Sequence, residues 1–128
     1  MRVRSRERAE LLDVTEAIEA RVRSSGVESG ICVVYVPHTT AGVLINENAD
    51  PGVLDDVLRT LERLVPWTNG YRHIEDNAAA HIKAILVGGS QTIPVQAGRL
   101  LLGRWQGIYF AEFDGPRERQ LRVTIAAG

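Results

Sequence analysis

The chain has one cysteine, one methionine and few aromatics: two Trp, three Tyr and two Phe in 128 residues. A lone cysteine, Cys32, excludes an intrachain disulfide and suits a reducing compartment, so a cytoplasmic location is expected. No apolar run approaches the ~20 residues of a membrane helix, which removes membranes as an expected partner. The N-terminal stretch MRVRSRERAE is basic but leads into no apolar run, so it is not expected to be a secretory signal. Lys and Arg number 15 against 16 Asp and Glu, a net charge of −1, so the overall balance does not point to nucleic acid. There is no P-loop, GxGxxG, HExxH or paired CxxC. What remains is 45% hydrophobic and 24% charged, ordinary for a soluble globular protein and enough for one core, so a single domain over residues 1–128 is expected.

The elements follow from periodicity and punctuation. Asp13 to Glu16 has capping-box spacing with Asp13 as N-cap, and Val14, Ala17, Ile18 and Val22 recur at helical steps before Gly26. A strand over 31–36 and a short one over 43–46 flank Pro37-His38-Thr39-Thr40. Asp50-Pro51 is a strong helix start. Behind it, Val53, Leu54, Val57, Leu58, Leu61, Leu64 and Val65 make one apolar face, and a third helix is predicted over about 78–87. Later segments read as strands: 91–95 and 99–102 around a three-residue Gln-Ala-Gly hairpin loop, then 105–113 and 121–125, with a loop over 114–119. The class is α+β, a mainly antiparallel sheet or sandwich covered by about three helices.

Chemistry concentrates at strand ends, where rigid scaffolds usually place it. All three histidines, His38, His73 and His81, lie at or beside element ends, and imidazole serves equally as metal ligand or acid/base group. His73 and His81 would stand about 12 Å apart on one continuous helix, so a shared site requires a loop between them. Three histidines with Glu47 suffice for a divalent metal (zinc, magnesium or manganese) with one open position and a base. Glu47 extends the Val43/Ile45 strand face, where a carboxylate needs a partner, and Asn48 stands beside it. Gln106 and Glu112 lie on one strand face with Ile108 and Phe110. They suit a pocket, or alternatively a structural pairing of Glu112 with Arg119 or Arg122. Gly107 leaves room for a ligand or another backbone. Thr39, Thr40, Lys83, Arg117 and Arg119 could donate to an anion.

The blocks HTTAGVLINENADP, HIEDNAAAHIKAILVGGS and GRLLLGRWQGIYFAEFDGPR, in this order, resemble the YjbQ-like family, also called the secondary thiamine-phosphate synthase family. The resemblance spans nearly the whole chain. It implies a compact α+β fold, a homotrimer, and a weak thiamine-phosphate synthase activity, a transferase reaction joining hydroxymethylpyrimidine diphosphate to thiazole phosphate. The family pattern falls on His38, Thr39, Thr40, Asn46, Glu47 and Asn48, then on His73, His81 and Lys83. In the last block it falls on Gly98, Gly103, Trp105, Gln106, Gly107 and Glu112. Arg104 stands where members commonly carry Thr, and Glu75-Asp76-Asn77 where a Glu-Gly pair is common. The expected catalytic set is His38, Glu47 and His81, grouped around Pro37 to Thr40. His38, His73 and His81 form the expected metal set. Anion binding is expected from Thr39, Thr40, Asn48, Lys83, Gln106, Glu112, Arg117 and Arg119. A metal-dependent hydrolase and a non-catalytic module for a small anion are the alternative functions.

Overall fold

Two antiparallel sheets share one core, which the first helix closes, and the other two helices lie on the outer face of the smaller sheet. The computed structural model describes residues 1–128. In chain order the elements are β1 (Arg2–Arg4), β2 (Glu10–Asp13), α1 (Thr15–Ser25), β3 (Ser29–Tyr35), β4 (Ala41–Glu47), α2 (Pro51–Leu64), α3 (Ala78–Val87), β5 (Ser90–Gln96), β6 (Arg99–Leu100), β7 (Gln106–Glu112), β8 (Glu118–Gln120) and β9 (Arg122–Ala127). The strands order as β2-β7-β4, β6-β5-β3-β9 and a separate β1-β8 pair. The expected α+β class with three helices is what the chain forms.

Alternation along the strands sorts side chains into two cores. Val43 of β4 with Ile108 and Phe110 of β7 meets Cys32 and Val34 of β3 and Ile93 and Val95 of β5, and Ile18 and Val22 of α1 close this main core. On the other face of β7, Ala111 packs with Phe113 and with Ala80 and Ala84 of α3, while Leu58 and Leu61 of α2 lie against them. Leu64, the last residue of α2, escapes the predicted apolar face and is exposed. Cys32 sits fully in the main core, and burial first, with the nearby Glu19 charge second, pushes its thiol up to about 11. It is a packing residue.

Local signals held with small shifts. Asp50 Oδ1 accepts from the Gly52 N–H with Pro51 opening α2, as proposed from sequence. The first cap moves by one residue: Val14 is the N-cap of α1, and Asp13 instead accepts from the Thr15 N–H and hydroxyl. The β5–β6 hairpin turns in two residues rather than three. Ala97 and Gly98 both have positive φ, 52° and 73°, the mirror-image turn whose twist matches flanking strands. The charged β1 and β8 were not foreseen; each carries a single inward residue, Val3 or Arg119, so neither shows an apolar alternation.

Candidate functional site

The β3–β4 connection crosses from one sheet to the other, and this carries His38, Thr39 and Thr40 to the end of β7. There the Phe113 N–H donates to the Thr40 carbonyl, locking the loop to the chain leaving β7. That exit segment runs through Asp114 and Arg117 to β8, whose Arg119 points inward. The N-terminal end of α3 supplies the opposite wall. Between them lies a cleft of about 350 Å³ lined by ten residues, none of them hydrophobic.

Arg119 is the fixed point of the cleft, with 3% of its surface exposed. Its Nε donates to Glu112 Oε1 at 2.9 Å and its Nη2 to Glu112 Oε2 and to Thr40 Oγ1, the latter at 2.8 Å. Ser5 Oγ and the Asp114 N–H also donate to the Glu112 carboxylate. Burial alone would raise the Glu112 pKa; the Arg119, Asp114 and Ser5 hydrogen bonds outweigh it and hold the carboxyl below its ordinary value. Nη1 of Arg119 makes no hydrogen bond within the chain, which leaves its two N–H groups for the cleft that Arg119 lines.

His38 is held by one contact that decides its chemistry. The Gln120 backbone N–H donates to His38 Nε2 at 2.9 Å. An N–H can donate only to a ring nitrogen carrying a lone pair, so His38 is the neutral tautomer with its proton on Nδ1. Burial lowers the His38 pKa, and the positive charge of Arg119 lowers it further. In this cleft His38 is therefore a neutral hydrogen-bond donor. Arg117 is tied to Asp114 through Nε at 2.9 Å and Nη2 at 3.1 Å. Asn77 Nδ2 donates to the same Asp114 carboxylate at 2.9 Å, and this fixes the amide so that its buried Oδ1 has no donor within the chain.

His73 and His81 do come together, their ring centroids 5.0 Å apart and nearly perpendicular. His81 faces the polar cleft, whereas His73 faces a separate cavity of about 270 Å³ beside Trp67 and Tyr71. Histidine-based metal binding fits poorly within one chain. His38 offers no free lone pair in this tautomer, and no three His, Cys, Asp or Glu side chains converge.

Several predicted site residues stand elsewhere. Glu47 was expected beside Pro37 to Thr40; β4 instead carries it to its far end, about 20 Å away at the rise of a strand. There it accepts from the Ala49 N–H, in a hollow with Asp13 and Asp50. Asn48 donates to the Gln106 carbonyl and fills the space beside Gly107, where an added Cβ would come within 2.9 Å of the Asn48 Cβ. The room at Gly107 therefore belongs to a neighbouring side chain. Gln106 closes its own turn by accepting from the Gly103 N–H, and buried Lys83 pairs with Glu62 of α2. Glu112 takes the structural alternative, pairing with Arg119 behind the cleft. The cleft thus keeps His38, Thr39, Thr40, His81, Arg117 and Arg119 of the predicted set and adds Glu75, Asn77 and Asp114. The DGP turn directly after a strand and the polar IEDN before a helix were the available signals for these additions.

Against known proteins, residues 1–128 match the family described as UPF0047 protein YjbQ-like. The chain belongs to the YjbQ-like UPF0047 family. Among YjbQ-like relatives, it is 52% identical over 123 residues to UPF0047 protein MJ1081 of Methanocaldococcus jannaschii, covering 96% of this chain and 89% of that protein. It is 50% identical over 126 residues to UPF0047 protein YugU of Bacillus subtilis, covering 98% and 96%. The YjbQ/UPF0047 crystal structure from Clostridium acetobutylicum superposes with a TM-score of 0.97 at 48% identity, covering 98% of both chains. A YbjQ-like protein of unknown function from Sulfolobus solfataricus superposes at 0.96 with 36% identity, covering all of this chain and 94% of that one.

Proposed function

We propose that the polar cleft binds the phosphate group of a small phosphorylated substrate. The observation that carries this reading is Arg119: a buried guanidinium, aimed by Glu112 and Thr40, with one nitrogen left free at a mainly polar cleft. His38 Nδ1–H, the Thr39 hydroxyl and Arg117 supply further donors of the kinds from which phosphate oxygens accept. Formal charge nearly cancels, since Glu112 and Asp114 face the two arginines, so binding rests on directed donors more than on net charge.

The thiamine-phosphate synthase-like coupling is the first reaction to test in this cleft. As the bond to diphosphate breaks, negative charge grows on the leaving oxygens, and preorganised donors would stabilise it. The heterocycles would need another surface; the nearest aromatic one is the cavity of Trp67, Tyr71 and His73 across the His73–His81 contact. The test follows pyrophosphate release with both substrates, with and without added magnesium. Turnover that Arg117→Ala lowers at least about tenfold supports catalysis in this cleft. No release above the uncatalysed rate, in either condition, removes the coupling and leaves the phosphate-binding reading to be judged by binding alone.

We further infer assembly as a homotrimer, for which α3 offers Ile82, Ile85 and Leu86, with Ile85 79% exposed. Light scattering should give three times the 14.1 kDa chain mass, and a monomer mass would refute it.

A further inference from the structure

The cleft has two unlike walls. On one side stand donors: His38 Nδ1–H, the Thr39 hydroxyl, Arg117 and the free nitrogen of Arg119. On the other, at the start of α3, stand the exposed Glu75 carboxylate and Asn77, whose buried Oδ1 meets no donor in the chain. A buried amide oxygen without a partner is unfavourable, so this wall is incomplete as the chain stands. A bare phosphate would satisfy the first wall and be repelled by the Glu75 carboxylate of the second. An apolar or aromatic body would leave the second wall unsatisfied and would find little apolar surface beyond Pro37.

We propose that the ligand of this cleft is a small hydroxylated phosphomonoester, a polyol or sugar phosphate. Its phosphate lies on the donor wall and its hydroxyls donate to Asn77 and Glu75. This rests on the phosphate-binding reading above and is independent of the coupling reaction. A cleft of about 350 Å³ is near the lower end of ordinary ligand sites, which run from about 300 to 1,000 Å³. The size suits a short carbon skeleton. Specificity follows from the second wall: an analogue lacking the hydroxyls leaves the buried Asn77 Oδ1 unpaired, whereas the hydroxylated ligand pairs it.

The test is isothermal titration of the full chain with inorganic phosphate, propyl phosphate and glycerol 3-phosphate, which differ in carbon body and in hydroxyls. Glycerol 3-phosphate should bind about tenfold tighter than propyl phosphate, as one or two hydrogen bonds to buried acceptors provide. Asn77→Ala should shrink that preference to about twofold, the level of a single exposed bond. Because Asn77 also braces Asp114, the exposed Glu75→Ala provides a second variant that does not touch the fold. It should reduce the preference for glycerol 3-phosphate while leaving inorganic phosphate bound equally well or better. Equal binding of propyl and glycerol phosphates by the unaltered chain, with inorganic phosphate also bound, overturns the hydroxylated ligand and spares the phosphate site. Binding of none of the three overturns the phosphate reading, and this inference falls with it.

Discussion

The guanidinium of Arg119 spans both carboxylate oxygens of Glu112 while its Nη2 also donates to Thr40, so one buried ion pair joins β7, β8 and the loop that carries His38. The pair serves structure first, since neither charge could be buried alone, and it serves the cleft by holding Arg119 in one orientation.

Glu112→Gln should therefore destabilise the fold by about 3–5 kcal/mol, the usual cost of leaving one partner of a buried pair uncompensated. Urea unfolding followed by circular dichroism measures it. Replacing Glu112 and Arg119 together with leucine and methionine should cost less than Glu112→Gln alone. An unchanged midpoint in the single variant would mean the pair is solvated rather than buried.

Stability should fall as pH drops from 7. Glu112 has its folded pKa below the ordinary 4.5, so the unfolded chain binds more protons there; the stabilisation is present above 4.5 and is lost as pH falls through the folded value. His38 acts in the same direction at higher pH. Its folded pKa lies below the ordinary 6.5, so its contribution is present above 6.5 and is lost as pH falls through the lowered value. Unfolding free energies measured at closely spaced pH values should show both limbs, and His38→Gln should flatten only the upper one. A stability that rises on acidification to pH 6 would contradict the neutral His38.

Lys83 was expected at an anion and is found against Glu62, with its side chain 4% exposed and that of Glu62 44% exposed. Removing Glu62 strands a buried ammonium, whereas Lys83→Met removes the charge and keeps the volume. Glu62→Ala should thus be more destabilising than Lys83→Met, and Lys83→Met should leave phosphate affinity within about twofold. Thermal melts of the two variants with a phosphate titration decide this. A large loss of phosphate binding in Lys83→Met would return Lys83 to the site.

Much of the architecture was legible because three helices and the central strands carry strong periodicity and caps, as at Asp50-Pro51. The charged β1 and β8 were not, since each is stabilised by pairing with the other across most of the chain. Within the site, His38, Thr39 and Thr40 were legible as polar residues at a strand end. Lys83 could have been set aside: two residues beyond His81 on a helix it stands about 200° around the axis and faces α2 instead. Glu47 was grouped with His38 by nearness in sequence, which an intervening extended strand converts into distance. Asn77 and Asp114 act through each other across 37 positions, a contact no local pattern encodes.

Inorganic phosphate binding to the full chain, measured by titration calorimetry alongside Thr39→Val, Arg117→Ala and Glu47→Ala, tests the phosphate cleft most directly. Saturable binding at one site per chain is expected, weakened about tenfold by Arg117→Ala, less by Thr39→Val, and unchanged by Glu47→Ala. No saturable binding would contradict it, and binding that Arg117→Ala leaves intact and Glu47→Ala abolishes would contradict it by placing the site at the other end of β4.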